Sequence, residues 1–180
     1  MDPSQLRVLI AANPNVTTVK LSKRNLTSLP YNINELTNVT TLDVSRNYLT
    51  TLPDNIGLLT TLTVLKINDN LLNHLPDNIG LLTQLVELDI SNNHFTELPS
   101  SLQYLTNLQR LSISSNRFTR FPSVVLTLSR LTKLGTDFSI LVLITDLRNV
   151  IRIGYLNRTL NQYLTMWIKI RSQRLLNDDQ

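Results

Sequence analysis

The sequence contains no cysteine. That excludes disulfides, thiolate metal sites and cysteine nucleophiles together, and it suits a reducing compartment. Glycine is scarce, with four residues in 180, so neither a Gly-rich phosphate-cradling loop nor a low-complexity chain is present. There are only two histidines, His74 and His94, and they lack a third nitrogen or sulfur ligand to complete a zinc site. Long hydrophobic runs are also missing. FSILVLI at 138–144 falls far short of the roughly 20 residues that span a bilayer. The opening MDPSQLRVLIAANPN has no basic leading region, and Arg7 breaks its apolar run, unlike a secretory signal. The expectation is a soluble intracellular chain, cytoplasmic with the nucleus left open. NxT triplets at Asn15, Asn25, Asn38 and Asn157 would matter only in a secreted chain.

Charged residues make up 17% of the chain, and apolar residues make up 42%. The length and apolar content are enough for one domain with a sizeable core. The net charge of +4 is unevenly placed, with −3 over residues 1–104 and +7 over residues 105–180. Such asymmetry marks an acidic partner, a nucleic acid, an anionic surface or simply a solvated basic face.

The nonamer LPDNIGLLT occurs twice, at Leu52–Thr60 and Leu75–Thr83, with starts 23 residues apart. Units with that spacing begin at Val16, Val39, Leu62, Leu85, Leu108 and Leu131, which is the signature of stacked repeats. Pro30, Pro53, Pro76, Pro99 and Pro122 hold one slot; Asn47, Asn70, Asn93 and Asn116 hold another. Alternation in segments such as Leu42-Asp43-Val44 predicts a short strand buried on one face. The Asn amide predicts a ladder that satisfies backbone groups in the turn after each strand. One unit cannot bury its apolar set alone, so stacking is required.

The pattern LxxLxLxxNxLTxLPxxIxxLTxL resembles leucine-rich repeats, and most closely the 23-residue class of intracellular Ras-group and Scribble-type scaffolds. The resemblance implies an α/β solenoid with a curved parallel β-sheet on the concave face, an irregular or short-helical convex side, and helical caps. It implies no cofactor. The expected organisation is an N-terminal capping helix over 1–15, repeats over 16–138 with the last degenerate, and a helical cap or tail over 139–180. Asp2 and Pro3 read as the start of the first helix. Ile153, Leu156, Leu160, Leu164 and Trp167 recur at helical spacing in the tail.

Catalysis finds little support. Asp43 and Asp89 fall two strands apart, about 10 Å, beyond the roughly 6.5–9.5 Å of an inverting carboxylate pair. The expected function is therefore non-enzymatic protein–protein interaction on the concave face, as scaffold or adaptor. Candidate contact residues are Lys20, Lys23, Asp43, Arg46, Tyr48, Lys66, Asp69, Leu71, Glu87, Asp89, Arg110 and Arg117. One column, Lys20, Asp43, Lys66, Asp89, Ser112, alternates in charge. It reads either as a ligand-contacting row or as cross-strand ion pairs that satisfy each other. Tyr48 and Leu71 are apolar where a solvated loop needs nothing apolar. Two alternatives use the C-terminal part. The basic half could bind nucleic acid or an anionic membrane, or the tail helices could build a homodimer through Tyr155, Arg158, Met166 and Lys169.

Overall fold

The computed structural model describes residues 8, 11, 12 and 15–137. Apart from those few positions, the expected N-terminal cap, the tail, and its residues Tyr155, Arg158, Met166 and Lys169 lie outside the described residues.

Six three-residue strands form one sheet: β1 (Thr18–Lys20), β2 (Thr41–Asp43), β3 (Val64–Lys66), β4 (Glu87–Asp89), β5 (Arg110–Ser112) and β6 (Lys133–Gly135). They run parallel, each beside its neighbour in sequence, in the order β1-β2-β3-β4-β5-β6. The register pairs equivalent slots: Leu42 with Leu65, Leu65 with Leu88, and Leu88 with Leu111. These central leucines are buried from β2 onward. Their neighbours on either side point the other way, as a strand's period of two demands. This is the solenoid that the repeat predicts.

The return path of each unit is a five-residue 3-10 helix: Tyr31–Glu35, Asp54–Leu58, Asp77–Leu81, Ser100–Tyr104 and Ser123–Thr127. A proline precedes each one, with φ between −64° and −70°. The ring sets the entry conformation and removes an N–H that the turn would leave unbonded. Within each helix one apolar residue, such as Ile56 or Ile79, is driven into the core. Between strand and 3-10 layer runs a continuous apolar core from Leu21 to Leu134.

The duplicated nonamer carries this convex layer. A Cβ on Gly57 would overlap the carbonyl oxygen of Asn78, and one on Gly80 would lie 2.6 Å from the carbonyl oxygen of Ser101. Glycine at both positions lets the next unit's backbone approach closely.

The Asn ladder forms, and its bonds link consecutive units. Asn70 Nδ2 donates to Val44 O (3.1 Å) in the preceding unit and to Ile67 O (3.0 Å) in its own, while its Oδ1 accepts from Leu49 N (3.0 Å). Asn47 and Asn93 repeat this scheme in the buried core, and Asn116 does so half-buried. In the first unit Arg24 holds the slot, and its own N–H donates to Asn47 Oδ1 at 2.9 Å. Each buried group left unpaired costs about 1–3 kcal/mol, so Asn70→Ala should lower stability by roughly 3 kcal/mol or more in urea unfolding. A loss below about 1 kcal/mol would mean that water replaces the amide.

Candidate concave binding face

The register sets three columns on the concave side. The first is Thr18, Thr41, Val64, Glu87, Arg110 and Lys133; the second is Lys20, Asp43, Lys66, Asp89, Ser112 and Gly135. The third, where the chain leaves each strand, is Lys23, Arg46, Asp69, Asn92 and Ser115. The predicted contact residues therefore share one side of the sheet and its exit edge.

The ion pairs differ from a ladder up the alternating column. Lys66 Nζ meets Glu87 Oε1 at 3.5 Å, and Arg110 Nε meets Glu87 Oε2 at 2.8 Å, so the pairs run diagonally between columns and within the first. Among the described residues no ion pair joins Lys66 to Asp43 or Asp89. Both carboxylates turn to their own chain instead. Asp43 Oδ1 accepts from Ser45 N (3.0 Å) and Ser45 Oγ (2.6 Å), and Asp89 Oδ1 accepts from Ser91 at the same two distances. A serine two residues on offers two donors without spanning strands, and this local bond wins over a distant ammonium. Asp43 and Asp89 thus shape the turns as well as the surface.

At the exit edge Arg46 Nε lies 3.7 Å from Asp69 Oδ2. Asp69 also accepts from Asn68 Nδ2 at 2.6 Å and from Asn92 Nδ2. The five residues of this edge share an unusual backbone. Lys23, Arg46, Asp69, Asn92 and Ser115 have φ of 57°, 56°, 56°, 52° and 55°. After Arg46, Asp69, Asn92 and Ser115 this left-handed conformation turns the chain so that the next residue's Asn side chain enters the core. It costs an ordinary L-residue about 1–2 kcal/mol.

Next to the exit edge, Tyr48 is 55% exposed and Leu71 41% exposed. Each is held by a backbone bond to the preceding unit, Tyr48 N to Leu26 O and Leu71 N to Leu49 O. They form an apolar pair of slots on adjacent units beside the Arg46–Asp69 pair. Arg117 continues the row in the exposed state, and His94 stands half-buried between. The side chains of Lys20 and Lys23 are exposed with no partner among the described residues. His74 bonds Asn73 Oδ1 at 2.6 Å.

Sequence reasoning did not single out a concavity on this face, a depression of about 230 Å³ over β4–β6 that includes Ser112, Lys133 and Gly135. Its signal was a glycine in a strand slot whose counterparts in the other five strands all carry side chains. Among the described residues no helix is long and apolar enough to cross a membrane.

A leucine-rich repeat family model matches residues 37–95 and again 60–118. The LRR ectodomain of the plant membrane receptor kinase GASSHO1/SCHENGEN3 from Arabidopsis thaliana, solved in complex with CASPARIAN STRIP INTEGRITY FACTOR 2, is 30% identical, with TM-score 0.63. The match covers 76% of this chain and 17% of that one. A Leptospira interrogans LRR protein is 29% identical, with TM-score 0.56, over 72% of this chain and 39% of its own. Internalin C2 from Listeria monocytogenes is 25% identical, with TM-score 0.64, over 71% and 54%. No curated protein matches the chain. The chain is a leucine-rich repeat protein, and it spans 17% to 54% of the length of these solved chains.

Two outcomes test this geometry. Glycine tolerates the left-handed exit slot and a β-branched residue does not, so Arg46→Val should be less stable than Arg46→Gly by more than about 1 kcal/mol in urea. Equal stabilities would show that the slot is not held left-handed in solution. The second concerns Glu87. Burial, the largest influence, pushes its carboxyl up, but the Arg110 hydrogen bond and the Lys66 and Arg110 charges outweigh it and hold the carboxyl below its ordinary value of 4.5. The stabilisation is complete above that ordinary value and is lost as pH falls through it towards the lowered one. Wild type should therefore lose more stability than Glu87→Gln between about pH 5 and about pH 3. Parallel acid profiles would remove Glu87 as a charge-bearing group of the folded state.

Proposed function

We propose that the chain is a non-enzymatic, intracellular protein-binding module, acting as scaffold or adaptor through its concave face and exit edge. The observation that carries this reading is unspent chemistry on a prebuilt surface. The ammonium groups of Lys20, Lys23 and Lys133 lack partners among the described residues, and Tyr48 and Leu71 stay exposed beside the Arg46–Asp69 pair. A parallel ladder held by core leucines and amides has little freedom to lose on binding, so contacts convert to affinity with small ordering cost. The tyrosine is the natural anchor, since aromatic residues dominate interface energetics and the charged rim chiefly steers encounter. A similar plant receptor ectodomain was solved with a bound factor, which supports a macromolecular occupant.

The residues offered for this role are Lys20, Lys23, Arg46, Tyr48, Lys66, Asp69, Leu71, Glu87, Arg110 and Arg117, with Asp43 and Asp89 partly committed to the serines beside them. Crosslinked capture from native extract, read by mass spectrometry, tests the face. Tyr48→Ser with Leu71→Ser should reduce recovery of the captured protein at least about tenfold. The melting temperature should stay within about 2 °C. A convex control, Leu58→Ser with Leu81→Ser, should leave recovery intact. The reverse pattern would move the interface to the convex side.

A further inference from the structure

We infer that the depression over β4, β5 and β6 is a subsite for one acidic side chain, aspartate or glutamate, of a protein segment lying across the concave face. This rests on the concave-face reading above and names the chemistry that one part of that face selects.

The argument starts from which charges are already answered. Glu87 is met by both Lys66 and Arg110. Asp89 has one carboxylate oxygen bonded to the Ser91 N–H and hydroxyl. The acceptors of the depression are therefore largely engaged, whereas its donors are not. Arg110 uses only Nε on Glu87, which leaves its terminal N–H groups. Lys133, next in the column, is exposed, and its ammonium has no partner among the described residues. The Ser112 hydroxyl has no acceptor there either. These three donors line the same depression.

Gly135 makes them reachable together. It pairs with Ser112 across β5 and β6, and a Cβ in its place would lie 2.9 Å from Ser112 Oγ. The serine hydroxyl thus leans over an empty slot, and an incoming carboxylate can reach it from above with Lys133 and Arg110 at its sides. Charge-assisted bonds from such a set are the strong kind.

Size and charge then select the occupant. The volume of about 230 Å³ is below the roughly 300–1,000 Å³ of pockets that enclose a whole small molecule, which favours a single side chain. A phosphorylated residue carries about −1.5 to −2 charges and would face Glu87 and Asp89 with a single fully free cation to answer it. One carboxylate matches that cation.

The test uses the isotope-labelled full chain and N-acetyl-glutamate N-methylamide, blocked at both ends, followed by amide chemical shifts. Saturable shifts centred on Ser112 and Gly135 are expected. The glutamine counterpart should bind at least about tenfold more weakly. Lys133→Gln and Ser112→Ala should each weaken the glutamate probe, while Lys23→Gln should not. Equal shifts from the glutamine probe, from acetate, or in Lys133→Gln would overturn the subsite. So would shifts that appear without probe as protein concentration rises, which would assign the depression to a second copy. A blank titration alongside partner capture that still depends on Tyr48 and Leu71 removes the subsite alone. Capture indifferent to Tyr48 and Leu71 removes the broader reading.

Discussion

Everything else in the molecule depends on the asparagine amide that enters the core after each strand. A three-residue strand is too short to satisfy the turn that follows it. The chain must then drop back into the core with carbonyls and N–H groups facing inward. Asn47, Asn70 and Asn93 answer both kinds at once, donating to carbonyls of two units and accepting from the N–H of the unit before. Because each amide spans two units, the bonds make neighbouring units mutually dependent. Only with the turn closed can the central leucines of successive strands align and the 3-10 helices return Ile33, Ile56, Ile79, Leu102 and Val125 beneath them.

This interior leaves the outward positions free to vary. Two units that share LPDNIGLLT letter for letter carry Asp43 against Lys66, and Arg46 against Asp69. The convex layer is where identity is demanded, since Gly57 and Gly80 lie against the next unit's backbone. Constraint and variation are thus divided along each unit, with the nonamer on the constrained side and the strand columns on the other.

Much of the architecture was legible because the repeat makes it so. The spacing gave the units, the strand alternation gave the buried leucines, and the Asn slot gave the ladder. Membership of the columns followed from the same spacing. What the columns do to one another was not legible. The alternation of Lys20, Asp43, Lys66 and Asp89 suggests a chain of ion pairs, but sequence order does not show that Ser45 and Ser91 each offer two donors at close range. Nor does it show that Lys66 reaches diagonally to Glu87. Those outcomes depend on rotamers and on competition between a local bond and a longer one. The left-handed exit edge was hidden for a different reason: glycine, the usual mark of positive φ, stands at none of its five positions.

That edge limits which side chains this surface can carry. A left-handed backbone crowds a branched Cβ, and Lys23, Arg46, Asp69, Asn92 and Ser115 include no valine, isoleucine or threonine. The five side chains there end in ammonium, guanidinium, carboxylate, amide and hydroxyl groups, so the rim changes in sign and reach from unit to unit while staying polar. Exposed apolar surface stands in the slots beside it, at Tyr48 and Leu71. At Tyr48 and Leu71, exposed apolar surface and the charged rim thus stand in separate, adjacent rows.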